Sequence, residues 1–264
     1  MTTATVLSEF DRSSGVATLT FNRPDSLNAI DITMARNFLE AVRGLSVQPG
    51  LRCVVLRGAG RAFVAGGDIS SMAEGRQQAW QMVNTALDSL NPAILLLRNI
   101  DAPIIASVKG VAAGAGLSLA LMADLIVAEE NARFLIAYNG IGAVPDCGGT
   151  WFLPHKIGAG RASEMMILGR TLNAREAQSW GLVTSVAAED QFDGMLATTV
   201  TKAAEGPGRA FGAFRRLVDQ ASGTALADHL EAERHAFLEM TQTADFSEGV
   251  SAFLDKRKPR FQGC

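Results

Sequence analysis

Along the first two thirds of the chain, short apolar and β-branched runs alternate with stretches in which apolar residues recur every three to four positions. Residues 16–21 (VATLTF) alternate and lead into the turn-like NRPDS, the pattern of a strand and its exit. Residues 31–44 carry Met34, Phe38, Leu39 and Val42 on one stripe, which predicts a helix. Residues 53–57 form a compact apolar strand ending in Gly58, and 103–108 (PIIASV) form another that runs into Gly110. Residues 125–128 and 182–186 are further strand candidates. Continuous apolar strands of this kind fit a sheet covered on both faces. Asn91-Pro92 has the form of an N-cap followed by proline at the first helical position. From about Glu189 onward the strand signals stop, and helical periodicity with interleaved charges runs over 210–221, 225–240 and 248–257. The pattern predicts an α/β core over residues 1–190 and a helical segment over 191–264, with no flexible linker between them.

Composition narrows the possibilities. With 48% apolar and 19% charged residues, the 264-residue chain can fill a large core, which excludes intrinsic disorder. The 24 Lys and Arg against 27 Asp and Glu give a net charge of −3, so no nucleic-acid partner is expected. Cys53, Cys147 and Cys264 form no CxxC pair, and His155, His229 and His235 form no HExxH, so neither a disulfide framework nor a metal site is expected. The N-terminus shows no basic start followed by an apolar run. Residues 110–123 are uncharged but fall short of the ~20 needed to span a bilayer, so they read as a buried helix. A soluble cytoplasmic protein is expected.

Three glycine-rich segments stand out. Arg61-Ala-Phe-Val-Ala-Gly-Gly-Asp68 follows the strand at 53–57. It reads either as a tight turn with Asp68 capping a helix, or as a place where a ligand approaches the backbone closely. Gly110-Val-Ala-Ala-Gly-Ala-Gly116 joins a strand to an apolar helix. Such a junction directs free N–H groups at whatever sits there, although small residues also serve close helix packing. The third glycine of GxGxxG is missing and no GK[ST] follows, so nucleotide binding is a distant reading. In Pro145-Asp-Cys-Gly-Gly-Thr-Trp151 an isolated carboxylate, Asp146, is either an N-cap or a general acid/base. Apolar neighbours Val144, Trp151 and Phe152 would favour its protonated form. Taken together, two backbone-donor loops and one carboxylate make a site for an enolate: the donors hold a developing oxyanion and the acid moves a proton.

The order FNRPDSLNA, RAFVAGGD, VKGVAAGAG, PDCGGTW and EGVSAFLDKRKPRF resembles the crotonase superfamily, the enoyl-CoA hydratase/isomerase family, over essentially the whole chain. PDCGGTW and EGVSAFLDKR look closest to its ring-1,2-epoxyphenylacetyl-CoA isomerases. The resemblance implies a ββα spiral core with a C-terminal helical assembly segment, a homotrimer or dimer of trimers, and an acyl-CoA thioester as substrate with no further cofactor. It implies an oxyanion hole from the N–H groups of Gly67 and Ala115, the latter where many members have glycine. It also implies that Ala62, Ala65 and Ile69 border the adenine and pantetheine, and that Lys256 in the basic tail assists the CoA phosphates, against a solvated tail as the plain reading.

The departures are informative. The two water-activating glutamates of family hydratases fall on Ser118 and Tyr138, neither of them a carboxylate. The aspartate of epoxyphenylacetyl-CoA and dienoyl-CoA isomerases falls on Asp146. Aromatic-CoA dehalogenases of the family also place an aspartate there and pair it with a histidine, where this chain has Leu95-Leu96-Leu97. Tyr138, the single tyrosine, is either an aromatic wall or a hydrogen-bond partner of substrate or of Asp146. An acyl-CoA isomerase with Asp146 as acid/base is the expectation. A hydratase with non-standard water positioning and a non-catalytic acyl-CoA-binding trimer are the alternatives.

Overall fold

The computed structural model describes residues 4–73 and 75–264. The chain opens with β1 (Val6–Asp11) and β2 (Val16–Phe21), an antiparallel pair. Helix α1 (Ile32–Ser46) follows, capped by Asp31, whose side chain accepts from Met34 N at 2.7 Å. Its predicted stripe of Met34, Phe38, Leu39 and Val42 is buried. Strand β3 (Cys53–Gly58) leads through the first glycine segment to the 24-residue helix α2 (Arg76–Asn99). Next come β4 (Ile104–Val108), β5 (Val111–Ala113), α3 (Ala115–Leu121), β6 (Leu125–Glu129) and β7 (Arg133–Leu135). Helices α4 (Gly149–Ile157) and α5 (Ala159–Ile167), strand β8 (Leu172–Asn173), helix α6 (Ala174–Ser179) and strand β9 (Ser185–Ala187) complete the strand-bearing part. Four helices close the chain: α7 (Glu189–Ala204), α8 (Gly208–Ala221), α9 (Leu226–Met240) and α10 (Ala244–Leu254).

Among the described residues the strands form two sheets. The larger runs β1-β2-β3-β4-β6-β9 and is parallel from β2 onward. The smaller is β5-β7-β8. Every residue of β4 and the first four of β3 are buried, which is why these strands read as unbroken apolar runs. One core lies between α1, α2, α3 and one face of the large sheet, with Phe21, Phe38 and Phe63 packed together. Helix α7 covers the other face, laying Phe192 on Cys53, Val55, Ile105 and Val127.

Three local expectations are corrected. Asn91-Pro92 does not start a helix, because α2 runs straight through Pro92. A proline inside a helix costs ~3 kcal/mol or more. Continuing the buried stripe of Met82, Ala86 and Leu90 with Ala93, Ile94 and Leu97 offsets that cost, while Asn91 and Pro92 face outward. The strand expected at 182–186 is confined to Ser185–Ala187, since Leu182 and Val183 donate their N–H groups to Ala177 O and close the end of α6. The last helix begins earlier than 248, because Thr243 caps it through Phe246 N at 3.0 Å.

Helix α8 is fastened to the core by charge. The buried Arg215 donates to Asp124 at 2.9 Å and to the carbonyls of Arg98, Ile100 and Ala102. Arg98, at the end of α2, pairs with Asp124 at 3.2 Å and with Asp219 at 2.6 Å. Helix α9 buries no residue within the chain, and Leu226, Leu230, Phe237, Phe253 and Leu254 are exposed. The tail folds back: Asp245 accepts from Gln262 N at 2.6 Å and Gly263 N at 2.8 Å. No described helix is long and apolar enough to cross a membrane.

Candidate active site

The turn after β2 fixes the first glycine segment. Asn28 is fully buried in a left-handed conformation, and its Nδ2 donates to the carbonyls of Ala59, Ala62 and Phe63 at 2.9–3.1 Å. Its Oδ1 accepts from Arg23 N at 2.9 Å. Residues 64–68 then run as an extra, irregular strand. Val64 pairs with Ala112 on one side, and Ile30 bridges Gly67 on the other. Ile30 N donates to Gly66 O at 2.8 Å and Asp68 N to Ile30 O at 2.9 Å. The Gly67 N–H between these two bonds has no assigned acceptor among the described residues.

The second glycine segment lies alongside. Gly114 turns the chain from β5 into α3 with φ 53° and ψ −126°, a conformation closed to residues with a Cβ. Ala115 is the first residue of α3, so its N–H has no partner within the helix. Gly116 lets α3 sit on the neighbouring strand: a Cβ there would lie 2.0 Å from Val64 O. Both segments thus meet side by side, each with an unengaged N–H.

The third segment supplies the carboxylate. Asp146 is half-buried and does not cap α4, whose N-cap is Gly148. Its carboxylate accepts from the Tyr138 hydroxyl. Gly67, Ala115 and Asp146 line one narrow cavity of about 30 Å³, roofed by Met82, Val83, Ala86, Leu87 and Leu90 of α2 with Ile30 at its edge. A second, smaller cavity of about 10 Å³ adjoins the start of α3, lined by Gly114, Ser118, Tyr138, Gly149 and apolar side chains. Burial, and then the adjacent Asp146 charge, push the Tyr138 hydroxyl above its ordinary pKa. The same two causes push the Cys147 thiol up.

The sequence-derived residues divide as follows. Gly67, Ala115 and Asp146 come together, and Tyr138 touches Asp146. Ala62, Ala65 and Ile69 lie on the segment leading into and out of Gly67. Ala62 is buried with its carbonyl held by Asn28, Ala65 N donates to Leu27 O at 3.1 Å, and Ile69 is exposed. Lys256 lines neither cavity; it ends α10 in a left-handed conformation, exposed, while Arg257 and Lys258 pair with Glu248 and Glu205. Asp68 occupies an N-cap position but caps nothing with its side chain. It accepts from Ser70 Oγ and pairs with Arg23 at 3.1 Å, and these partners hold its carboxyl below the usual range. Ser118 is buried, 2% exposed, and its hydroxyl reaches Gly114 O at 3.5 Å.

The apolar surroundings of Asp146 differ from those its sequence neighbours suggest. Val144 and Trp151 are 77% and 45% exposed and line neither cavity. The roof residues of α2 went unnamed in the sequence, although their 82/83/86/87/90 spacing is a helical stripe. Leu95-Leu96-Leu97 lies beyond that roof, and the roof itself carries no histidine.

Two unengaged N–H groups and a carboxylate around one apolar cavity can stabilise negative charge on a carbonyl oxygen and move a proton beside it. The family follows from comparison with known proteins. The profile of the enoyl-CoA hydratase/isomerase family matches residues 11–264, and the chain belongs to that family, with the crotonase fold. It is 35% identical to the 1,2-epoxyphenylacetyl-CoA isomerase of Escherichia coli (strain K12) over 250 residues, 94% of this chain and 95% of that protein. It is 34% identical to the 2,3-dehydroadipyl-CoA hydratase of the same organism, covering 96% of this chain and 97% of that protein. The crystal structure of an enoyl-CoA hydratase of Mycobacterium smegmatis superposes with a TM-score of 0.87 at 31% identity, covering 97% and 98% of the two chains.

Proposed function

We propose that the protein is an acyl-CoA isomerase that works through a thioester enolate. One observation carries this reading: Gly67, Ala115 and Asp146 line the same cavity. The N–H groups of Gly67 and Ala115 hold the thioester oxygen as it gains charge. Asp146 takes a proton from a carbon flanking the double bond, the C–H electron pair moves toward the carbonyl, and the oxygen becomes an oxyanion. The same carboxyl then returns that proton to a different carbon, so the double bond shifts and no atom is gained or lost. For an epoxide beside the deprotonated carbon, the enolate's electron pair re-forms a C=C bond as the epoxide C–O bond breaks, and the carboxyl returns its proton to the released oxygen, so again no atom is gained or lost. The reading is further supported by Ser118 and Tyr138 at the positions of the hydratase glutamates, because neither supplies a base for water. The exposed apolar residues of α9 and α10 support assembly into a trimer or a dimer of trimers.

The test is a panel of 3-enoyl-, dienoyl- and epoxide-bearing CoA thioesters, followed by chromatography and mass spectrometry. Isomerisation leaves the mass unchanged, hydration adds one water, and a non-catalytic binder changes nothing. Asp146→Asn is expected to fold and bind thioester but to lose about 10²–10⁴ in turnover, the usual worth of a positioned acid/base. Full isomerisation by that variant refutes the mechanism.

A further inference from the structure

We infer that Tyr138 is a positioning residue: by donating to one carboxylate oxygen of Asp146 it fixes that side chain between the two backbone donors and leaves the other oxygen for the substrate. The inference rests on Asp146 being the proton carrier.

The contact is built at both ends. Ala137, just before Tyr138, has φ 64°, and Cys147, just after Asp146, has φ 50°. Non-glycine residues seldom adopt such conformations, and they persist only where the surrounding structure imposes them. Tyr138 O accepts from Ala143 N at 3.0 Å, which closes the turn that carries the ring. The ring packs on Gly114, with its Cε2 3.9 Å from where a Cβ would stand on that residue. Tyr138 therefore ties the carboxylate to the same turn that presents the Ala115 N–H.

Among the described residues, Tyr138 is the side chain that hydrogen-bonds the Asp146 carboxylate. Among the described residues lining the cavity, α2 contributes the apolar Met82, Val83, Ala86, Leu87 and Leu90, and Ile30, Gly67 and the first residue of α3, Ala115, complete the wall around Asp146. Tyr138 and Cys147, both beside Asp146, are displaced upward by burial and by its charge and stay neutral at working pH. The phenol thus stays a donor to the carboxylate. A hydrogen bond to the charged form favours that form.

Two experiments test this. In Tyr138→Phe, with 3-hexenoyl-CoA as substrate, kcat falls about 10–100-fold while KM holds, and the acid limb of the kcat/KM profile moves up by about one to two pH units, the worth of a hydrogen bond to a charged group. An unchanged acid limb together with unchanged kcat overturns the inference. The chain contains a single tyrosine, so growth on 3-fluorotyrosine places one fluorine at Tyr138 without any mutation. Its ¹⁹F resonance is expected to follow a carboxylate titration in the native protein and to lose that response in Asp146→Asn. A resonance blind to both pH and Asp146→Asn also overturns it, whether or not Tyr138→Phe folds. If Asp146→Asn keeps full turnover, the isomerase mechanism and this inference fall together. If it is inactive and the Tyr138 readouts do not move, only this inference falls.

Discussion

Gly116→Ala tests whether the two backbone donors are held in place by the packing of α3 on the strand segment at Val64. A Cβ at position 116 would stand 2.0 Å from Val64 O and 2.7 Å from both Val64 C and Val64 Cβ. The clash is against backbone, so no side-chain rotation relieves it. Real Cβ contacts do not fall below 3.0 Å, so the two segments must part by about 1 Å. Overpacking of this kind costs about 1–3 kcal/mol. At about 2–4 °C per kcal/mol for a chain near this size, Tm falls by roughly 2–12 °C. The same shift separates Gly67 from Ala115, and a 1 Å misplacement can cost about 10²-fold in rate. The assay is turnover measured well below the variant's Tm, beside thermal unfolding of the same preparation. Gly194→Ala is the control: this exposed glycine in α7 has open space around its Cβ position, and the change should stabilise by about 0.4–1 kcal/mol. A Gly116→Ala protein with lowered Tm but full kcat refutes the link between this contact and the donors. One with neither effect refutes the packing argument itself.

Three further outcomes are expected. Arg215→Met leaves Asp124 and three carbonyls without their buried donor and should destabilise by about 3–5 kcal/mol, read from the urea midpoint; an unchanged midpoint contradicts the anchoring role of Arg215. Glu248 is held down from 4.5 to about 2, first by its hydrogen bond from Arg257 and then by Arg260 N–H. Its stabilising contribution is complete above 4.5 and fades as pH falls toward 2, so Glu248→Gln should flatten the acid-side decline of Tm over that window. In the native protein near about pH 8, iodoacetamide should label Cys264 alone. Burial and the Asp124 charge push the Cys53 thiol up to about 12, and Cys147 is displaced upward as well, so mass spectrometry should find three adducts only after denaturation.

The sequence revealed most where one physical requirement dominated. Strands β3 and β4 are buried on both faces and could only be written in apolar residues, so their limits were legible within a residue or so. The segments that meet at the cavity were legible because glycine runs and an isolated carboxylate stand out against an apolar chain, whereas Gly67 and Ala115 within them were singled out by the family resemblance. Helix α2 was harder, since Pro92 sends a local stop signal that long-range packing against α1 overrides. Its pocket-facing residues share a pattern with its core-facing ones, so periodicity alone could not separate a roof from a core. Strands β7 and β8 are held by pairing with distant partners, and two or three residues carry too little pattern to announce themselves. The environment of Asp146 was misread because adjacency along the chain stood in for adjacency in space.

Helix α2 joins two tasks on one rod about 36 Å long at 1.5 Å per residue. Its middle turns roof the cavity, and its last turn holds Arg98, which clamps Asp219 of α8. Pro92 stands between the two and omits the hydrogen bond that its N–H would have made to Asp88 O. Substitutions on the roof side therefore change the cavity wall without touching the Arg98 clamp.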